Sequence, residues 1–242
     1  MKTDYHLHSN HSYDSKTPVE LIKKAADEQD IKSIALTEHH EITKVEFLKP
    51  FKIRDIDKYL EDCSNYDIIP GIEFGWDCET EIDIDLELFD FVLLSIHGVE
   101  DESRNVNWDN YFRNILYAAE NVKRYDFLAH LDFPRRYING YPEVDKKYYP
   151  IIEEIFKVLI KNGKGIEINT CGMRLYREPN PGIEILKLYN SVGGKLLTFG
   201  SDAHFDYHVG NNISEAMELA CDLGFKKMSV FENGDLIQKN IK

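Results

Sequence analysis

The 242-residue sequence predicts an α/β chain whose parallel strands wind into a β/α barrel, with the active site at the C-terminal ends of the strands. Three observations predict it. Seven short β-rich runs recur along the chain, stretches of helical composition separate them, and a histidine or an acid sits at or beside the end of every run. The whole chain, 1–242, reads as one domain, since a single barrel commonly has this length.

In chain order the runs are Thr3–His6, Ser33–Thr37, Ile68–Glu73, Phe91–Ile96, Phe127–His130, Gly165–Asn169 and Leu196–Gly200. The first helical stretch is PVELIKKAADEQ (18–29), where Pro18 suits a first turn. Residues 40–66 are less regular and predict one helix, entered through a loop that covers the site. The acidic run DCETEIDIDLELFD (77–90) predicts a hairpin or edge excursion with its charges in solvent. Amphipathic stretches follow at 110–124, 148–163 and 181–194, the last two closing on Gly as helices often do. The tail MSVFENGDLIQ (228–238) predicts a final short strand with an NG turn.

The nine histidines, at 6, 8, 11, 39, 40, 97, 130, 204 and 208, all fall at or just beyond a predicted strand end. One polar residue per strand gives positions 6, 39, 73, 97, 130, 167 and 202, in steps of 33, 34, 24, 33, 37 and 35 residues. Each step is close to one βα unit. A single strand-end histidine is usually a satisfied polar residue; nine of them, with Glu73, Glu167 and Asp202 at the remaining ends, point to a metal site. In the opening DYHLH, residues i and i+2 share a face, so Asp4, His6 and His8 lie together and Tyr5 and Leu7 oppose them. Paired imidazoles suit Mn, Fe or Zn, whereas Mg and Ca prefer oxygen. Asp4 is expected behind them, orienting a ligand imidazole.

Composition narrows the function. The net charge of −14 opposes nucleic-acid binding, which needs Lys and Arg against phosphates. No apolar run is long enough to span a bilayer, and the N-terminal residues show no charged-then-apolar pattern with a small-residue cleavage site, so secretion is not expected. Four cysteines without zinc-finger spacing suit a reducing cytoplasm. A small molecule bound in a local pocket is the expected partner; oligomeric state is not readable.

The motifs DYHLH with SYDS (4–15), ALTEH (35–39), PGIE (70–73), SIHG (95–98), LAHLD (128–132) and GSDAH (200–204) together resemble the PHP (polymerase and histidinol phosphatase) family. GIEINTCGMR (165–174) and LAHLDFPRRY (128–137) are most similar to its histidinol-phosphate phosphatase branch. The resemblance implies a distorted (β/α)7 barrel holding two or three divalent metals. It places the first on His6, His8, Glu73 and Asp202, with Glu73 bridging to a second on His97 and His130. A third would take His39 and His204, completed by Asp14 or by His11. Glu38 stands where the wider family more often has Asp, and is left outside the ligand set.

The implied reaction is hydrolysis of a phosphate monoester by metal-activated hydroxide, most specifically of L-histidinol phosphate in histidine biosynthesis. Arg135, Arg136, Arg174 and Arg177 follow two of the strands and are candidates for phosphate binding, at least one of them being merely a surface residue. Glu167, or the acids of 77–87, are candidates for contacting the cationic part of such a substrate. A primary alkoxide leaves poorly, so a general acid is expected, with His208, His40 and Asp202 as candidates. The alternatives are a family phosphoesterase acting on nucleotides, an amidohydrolase-type barrel and a non-catalytic metal-binding domain. The second is disfavoured because His97 stands where those barrels carry a bridging Lys.

Overall fold

The computed structural model describes residues 1–98, 106–232 and 234–241. Seven strands form one parallel sheet in sequence order: β1 (Lys2–Asp4), β2 (Ile31–Ile42), β3 (Ile69–Trp76), β4 (Phe91–Ser95), β5 (Phe127–Leu128), β6 (Gly165–Asn169) and β7 (Leu197–Gly200). The first and last strands approach one another through Tyr5 N–H to Phe199 O, His8 N–H to Ala203 O and a parallel bridge between Leu7 and Ala203. The result is a nearly closed, distorted (β/α)7 barrel.

Helices α1 (Val19–Glu28), α2 (Ile56–Asn65), α3 (Trp108–Asn121), α4 (Tyr149–Lys161), α5 (Cys171–Tyr176), α6 (Ile183–Ser191) and α7 (Ile213–Asp222) fill the connections. Asp55 and Asn107 cap α2 and α3 by accepting from the N–H groups of Lys58 and Asn110. Gly163 and Gly193, at φ +68° and +94°, follow α4 and α6 and turn the chain back toward the sheet. Pro18 precedes the first turn of α1 instead of entering it. Apolar faces of α1–α4, α6 and α7 pack on the outer face of the sheet, with Ile22, Phe112, Ile155, Phe156, Leu186 and Ala216 fully or almost fully buried. Inside the barrel, Tyr5, Ala35, Phe91, Leu93, Phe127 and Ala129 form a separate apolar floor.

Several expectations are corrected. β2 runs five residues beyond Thr37 because it keeps register with β3 from Ala35–Ile69 to Ile42–Trp76, so backbone pairing overrides the polar TEHHE composition. β5 is cut to two residues, and the chain turns at His130, whose φ is +20°. Residues 77–90 make no hairpin. Asp77 collects the N–H groups of Lys44, Glu79 and Thr80 in a tight turn, and a short 3-10 segment at Leu86–Leu88 follows. The flanking acids are exposed, as expected. The tail forms two antiparallel strands, β8 (Lys227–Glu232) and β9 (Asp235–Asn240), where one was expected. Asn233 of the expected NG turn lies outside the described residues. This hairpin meets the barrel floor: Phe231 N–H donates to Tyr5 Oη at 2.9 Å, and the rings of Phe231 and Phe91 are in edge contact.

Candidate metal centre

Above the floor the same strands carry polar groups. On β2, Ala35 lies in the floor and His39 and Glu41 line a cavity at the top. On β4, Phe91 and Leu93 give way to His97 beyond the strand end. The alternation expected for DYHLH breaks after β1. Tyr5 packs into the floor while Leu7 joins the outer core, so the two do not share a face.

Four groups from three strand ends meet at nearly equal spacing. His6 Nε2 lies 3.3 Å from Glu73 Oε2 and 3.7 Å from Asp202 Oδ1, and His8 Nε2 lies 3.6 and 3.5 Å from the same two oxygens. Ligand atoms about 2.0 Å from a tetrahedral ion stand roughly 3.3 Å from one another. Among the described residues, the Nε2 atoms of both histidines and Glu73 Oε2 are buried without a hydrogen bond, an arrangement costly in a dry interior unless a cation joins them. The residues therefore fit a divalent ion.

The other carboxylate oxygen of Glu73, Oε1, faces His97 Nε2 at 3.2 Å and His130 Nε2 at 2.7 Å. Asp14 Oδ2 lies 3.3 Å from His39 Nε2 and 3.0 Å from His204 Nε2, and the His8 ring stacks on His39 with centroids 4.2 Å apart. With His39 Nδ1 also 2.8 Å from Oε2, Glu73 sits at the centre of five imidazoles. His11 points away from this cluster and pairs with Asp62 at 2.9 Å, so of the two alternatives it is Asp14 that reaches His39 and His204.

The electrostatics follow from crowding ionisable groups out of water. Burial opposes charge on His39 and His97, but Glu73 with Asp14, and Glu41 with Glu73, raise them to about 10. His6 is likewise raised well above the usual imidazole range, against burial, by Glu167, Glu73 and Asp202. His8 is pushed down to about 3 by burial and by the charges of His39 and His204. Burial would lift Glu73 and Asp202, yet His39, His6 and His97 around the first, and Arg136 and His6 beside the second, hold both well below the carboxylate range. Asp202 also holds φ +54°, a left-handed conformation costing about 1 kcal/mol or more, secured by its N–H to His6 O.

A cavity of about 280 Å³ opens on the cluster. Phe47, Leu48 and Phe51 from the loop after β2 wall it, so the irregular segment does cover the site, and Phe133, Arg136 and Tyr137 face them. Of the four arginines only Arg136 lines this cavity; it donates to Asp202 Oδ2 at 2.8 Å and to Asn169 Oδ1 at 3.0 Å. Arg135 is corrected: it is buried, and its guanidinium is spent on Asp132, Glu178 and the carbonyls of Tyr141 and Pro142. Arg177 is exposed at the end of α5 in a left-handed turn. Arg174 binds the carbonyl of Ser201 and Cys171 Sγ, holding the Asp202 loop from outside the cavity.

Glu167 is also corrected. It is fully buried behind His6, accepting from Nδ1 at 2.6 Å and from His130 N–H at 3.0 Å, and does not face the cavity. It takes the orienting place expected of Asp4, whose carboxylate instead accepts the backbone N–H groups of Ser201 and Gly210. Glu38 accepts from Ser9 and Ser12 and anchors the loop after β1. His40 sits on the opposite face of β2 from His39 and Glu41, outside the cavity wall, with burial and Lys52 lowering it to about 4. His208 is half-buried and likewise outside the wall. Sequence reasoning missed Glu41, although TEHHE places it two residues from His39 on the same strand face.

A parallel barrel with buried imidazoles and carboxylates clustered at its C-terminal strand ends defines a hydrolase of the metal-dependent barrel class. The chain belongs to the PHP domain family, whose model matches residues 4–171. It is 33% identical over 231 residues to a Thermotoga maritima protein named "Probable histidinol-phosphatase", covering 94% of each chain. It is 29% identical over 271 residues to a protein named "Histidinol-phosphatase" from Lactococcus lactis subsp. lactis, covering 100% of this chain and 98% of that one. The fold is shared with a crystal structure of histidinol phosphate phosphatase from Lactococcus lactis, complexed with zinc, L-histidinol and phosphate. The TM-score is 0.80 at 24% identity, over 98% of both chains.

Proposed function

We propose that this chain is a histidinol-phosphatase that hydrolyses L-histidinol phosphate to L-histidinol and phosphate, using two or three divalent ions, zinc, manganese or iron. The observation that carries the reading is the convergence of His6 and His8 Nε2 on the same Glu73 and Asp202 oxygens, 3.3–3.7 Å apart, at the base of a cavity that Arg136 also walls. The relatives' names supply the substrate.

His6, His8, Glu73 and Asp202 would hold one ion, His97, His130 and Glu73 a second, and His39, His204 and Asp14 a third. When bound, such ions supply Lewis acidity toward phosphoryl oxygens and lower the pKa of water. The protein's own part is positioning. Arg136 lines the cavity beside Asp202, held there by Asp202, Asn169 and Asn180, where its positive charge would meet a phosphoryl group. Phe51 and Phe133 line the cavity and would give the imidazole of such a substrate an apolar, aromatic wall. Arg136 and His6 hold the Asp202 carboxyl well below the carboxylate range and His40 faces away, which argues against both as the general acid; His208, the third candidate, also lies outside the cavity wall. The test is phosphate release from L-histidinol phosphate, nucleoside monophosphates and simple alkyl phosphates by the zinc-, manganese- and iron-loaded protein. Release only from nucleotides, or from none of these, sinks the assignment.

A further inference from the structure

Glu41 is buried, 3% exposed, and belongs to no ligand set that the opening motifs suggested. His97 Nδ1 lies 2.5 Å from Glu41 Oε1, while His97 Nε2 points at Glu73 Oε1. With Nδ1–H donating to the carboxylate, the Nε2 lone pair is left free, which is the tautomer a metal ligand requires.

What makes room for Glu41 is on the next strand. β2 and β3 pair Glu41 directly with Gly75. A Cβ on Gly75 would stand 2.1 Å from both carboxylate oxygens of Glu41. Gly75 has no left-handed backbone to explain its identity; the space itself is the explanation. The same construction occurs across the barrel. Glu167 on β6 accepts from His6 Nδ1, and a Cβ on Gly200 of β7 would stand 2.3 Å from Glu167 Oε1. Twice, then, a buried carboxylate aligns an imidazole of the cluster in a slot that a glycine on the neighbouring strand leaves open.

We infer that Glu41 is a positioning residue, orienting His97 for metal through Nδ1, and that Gly75 exists to seat its carboxylate. This rests on the metal-centre reading above. Outer carboxylates of this kind typically contribute about 10- to 100-fold in metal affinity. The two residues therefore behave as one unit, and a double-mutant cycle exposes that.

The experiment titrates metal-free protein with zinc against a chromogenic chelator, and follows each metal-free variant by thermal melting. E41A is expected to weaken the most weakly held zinc by about 10- to 100-fold. E41Q, whose amide oxygen still accepts from Nδ1–H, is expected to recover most of that affinity. G75A is expected to match E41A, and to add no further loss in the E41A background. Equal losses in E41A and E41Q would make Glu41 a direct ligand and overturn the inference, as would additive losses in the double variant. Unchanged zinc binding in E41A overturns it too, while leaving the metal centre standing. Failure of the unsubstituted chain to bind zinc overturns both readings.

Discussion

The floor and the top of the barrel are built from the same strands and are opposites in how they are satisfied. In the floor, Tyr5, Ala35, Phe91, Leu93, Phe127 and Ala129 fill one another's space, and the one polar atom, Tyr5 Oη, contacts Ser33 and Phe231. A few residues further along, β2 and β4 enter a cluster whose buried Nε2 atoms at His6 and His8 have no hydrogen-bond partner among the described residues. The floor is complete as a protein structure, stabilised by burial alone. The top leaves buried ligand-type atoms that a divalent cation would satisfy. One fold can carry both because the floor and the outer helical layer supply the stability that the top gives up.

The largest effect that separates the two regions should come from Glu73, which touches all five central imidazoles. Glu73→Ala is expected to remove phosphatase activity by about 10³-fold or more and to abolish full metal loading, read by turnover and metal analysis. If activity survives within tenfold, Glu73 does not organise the site. Phe91→Ala should do the reverse. It is expected to cost about 3–5 kcal/mol of stability, lowering the melting temperature of metal-free and loaded protein alike while leaving metal stoichiometry intact.

A subtler contrast lies in pH. His39 and His97 have folded-state values of about 10, above the roughly 6.5 of an unfolded chain. Their contribution to the metal-free protein is therefore fully present below about 6.5 and lost as pH rises through about 10. Glu73 and Asp202, held low, contribute above the ordinary carboxylate range and lose that contribution as pH falls. Metal-free protein should then melt at progressively lower temperature between about pH 7 and 10, and zinc-loaded protein should not, because the ion replaces the protons. Parallel melting curves for the two forms would contradict this account. The smallest effect is expected at Arg177. Arg177→Ala should leave turnover within about twofold and stability within about 0.5 kcal/mol, whereas Arg136→Ala should lower turnover by about 10²-fold. Matching kinetics for the two variants would remove Arg136 from phosphate binding.

Much of the centre was legible because metal ligation is chemically narrow. Histidines and acids recurring once per βα unit have few other uses, and strand ends in a β/α barrel converge on one face. Side-chain direction was less legible. The polarity of TEHHE does not reveal that β3 pulls five more residues into register, which alone puts His39 and Glu41 inside and His40 outside. Four arginines in similar loops looked alike. Only the fold shows that Asp132 and Glu178 capture Arg135 while Arg136 turns inward.

By itself, then, the sequence determined the barrel, its strand order and the stock of metal-type groups, because periodicity and residue chemistry are local properties of the chain. The tertiary structure alone decided which groups meet. Asp14 and not His11 reaches His39 and His204; Glu167 and not Asp4 orients His6; Gly75 opposite Glu41 opens the slot behind His97. Each of these depends on register and on what the neighbouring strand places opposite, a relation between distant residues that no local pattern encodes.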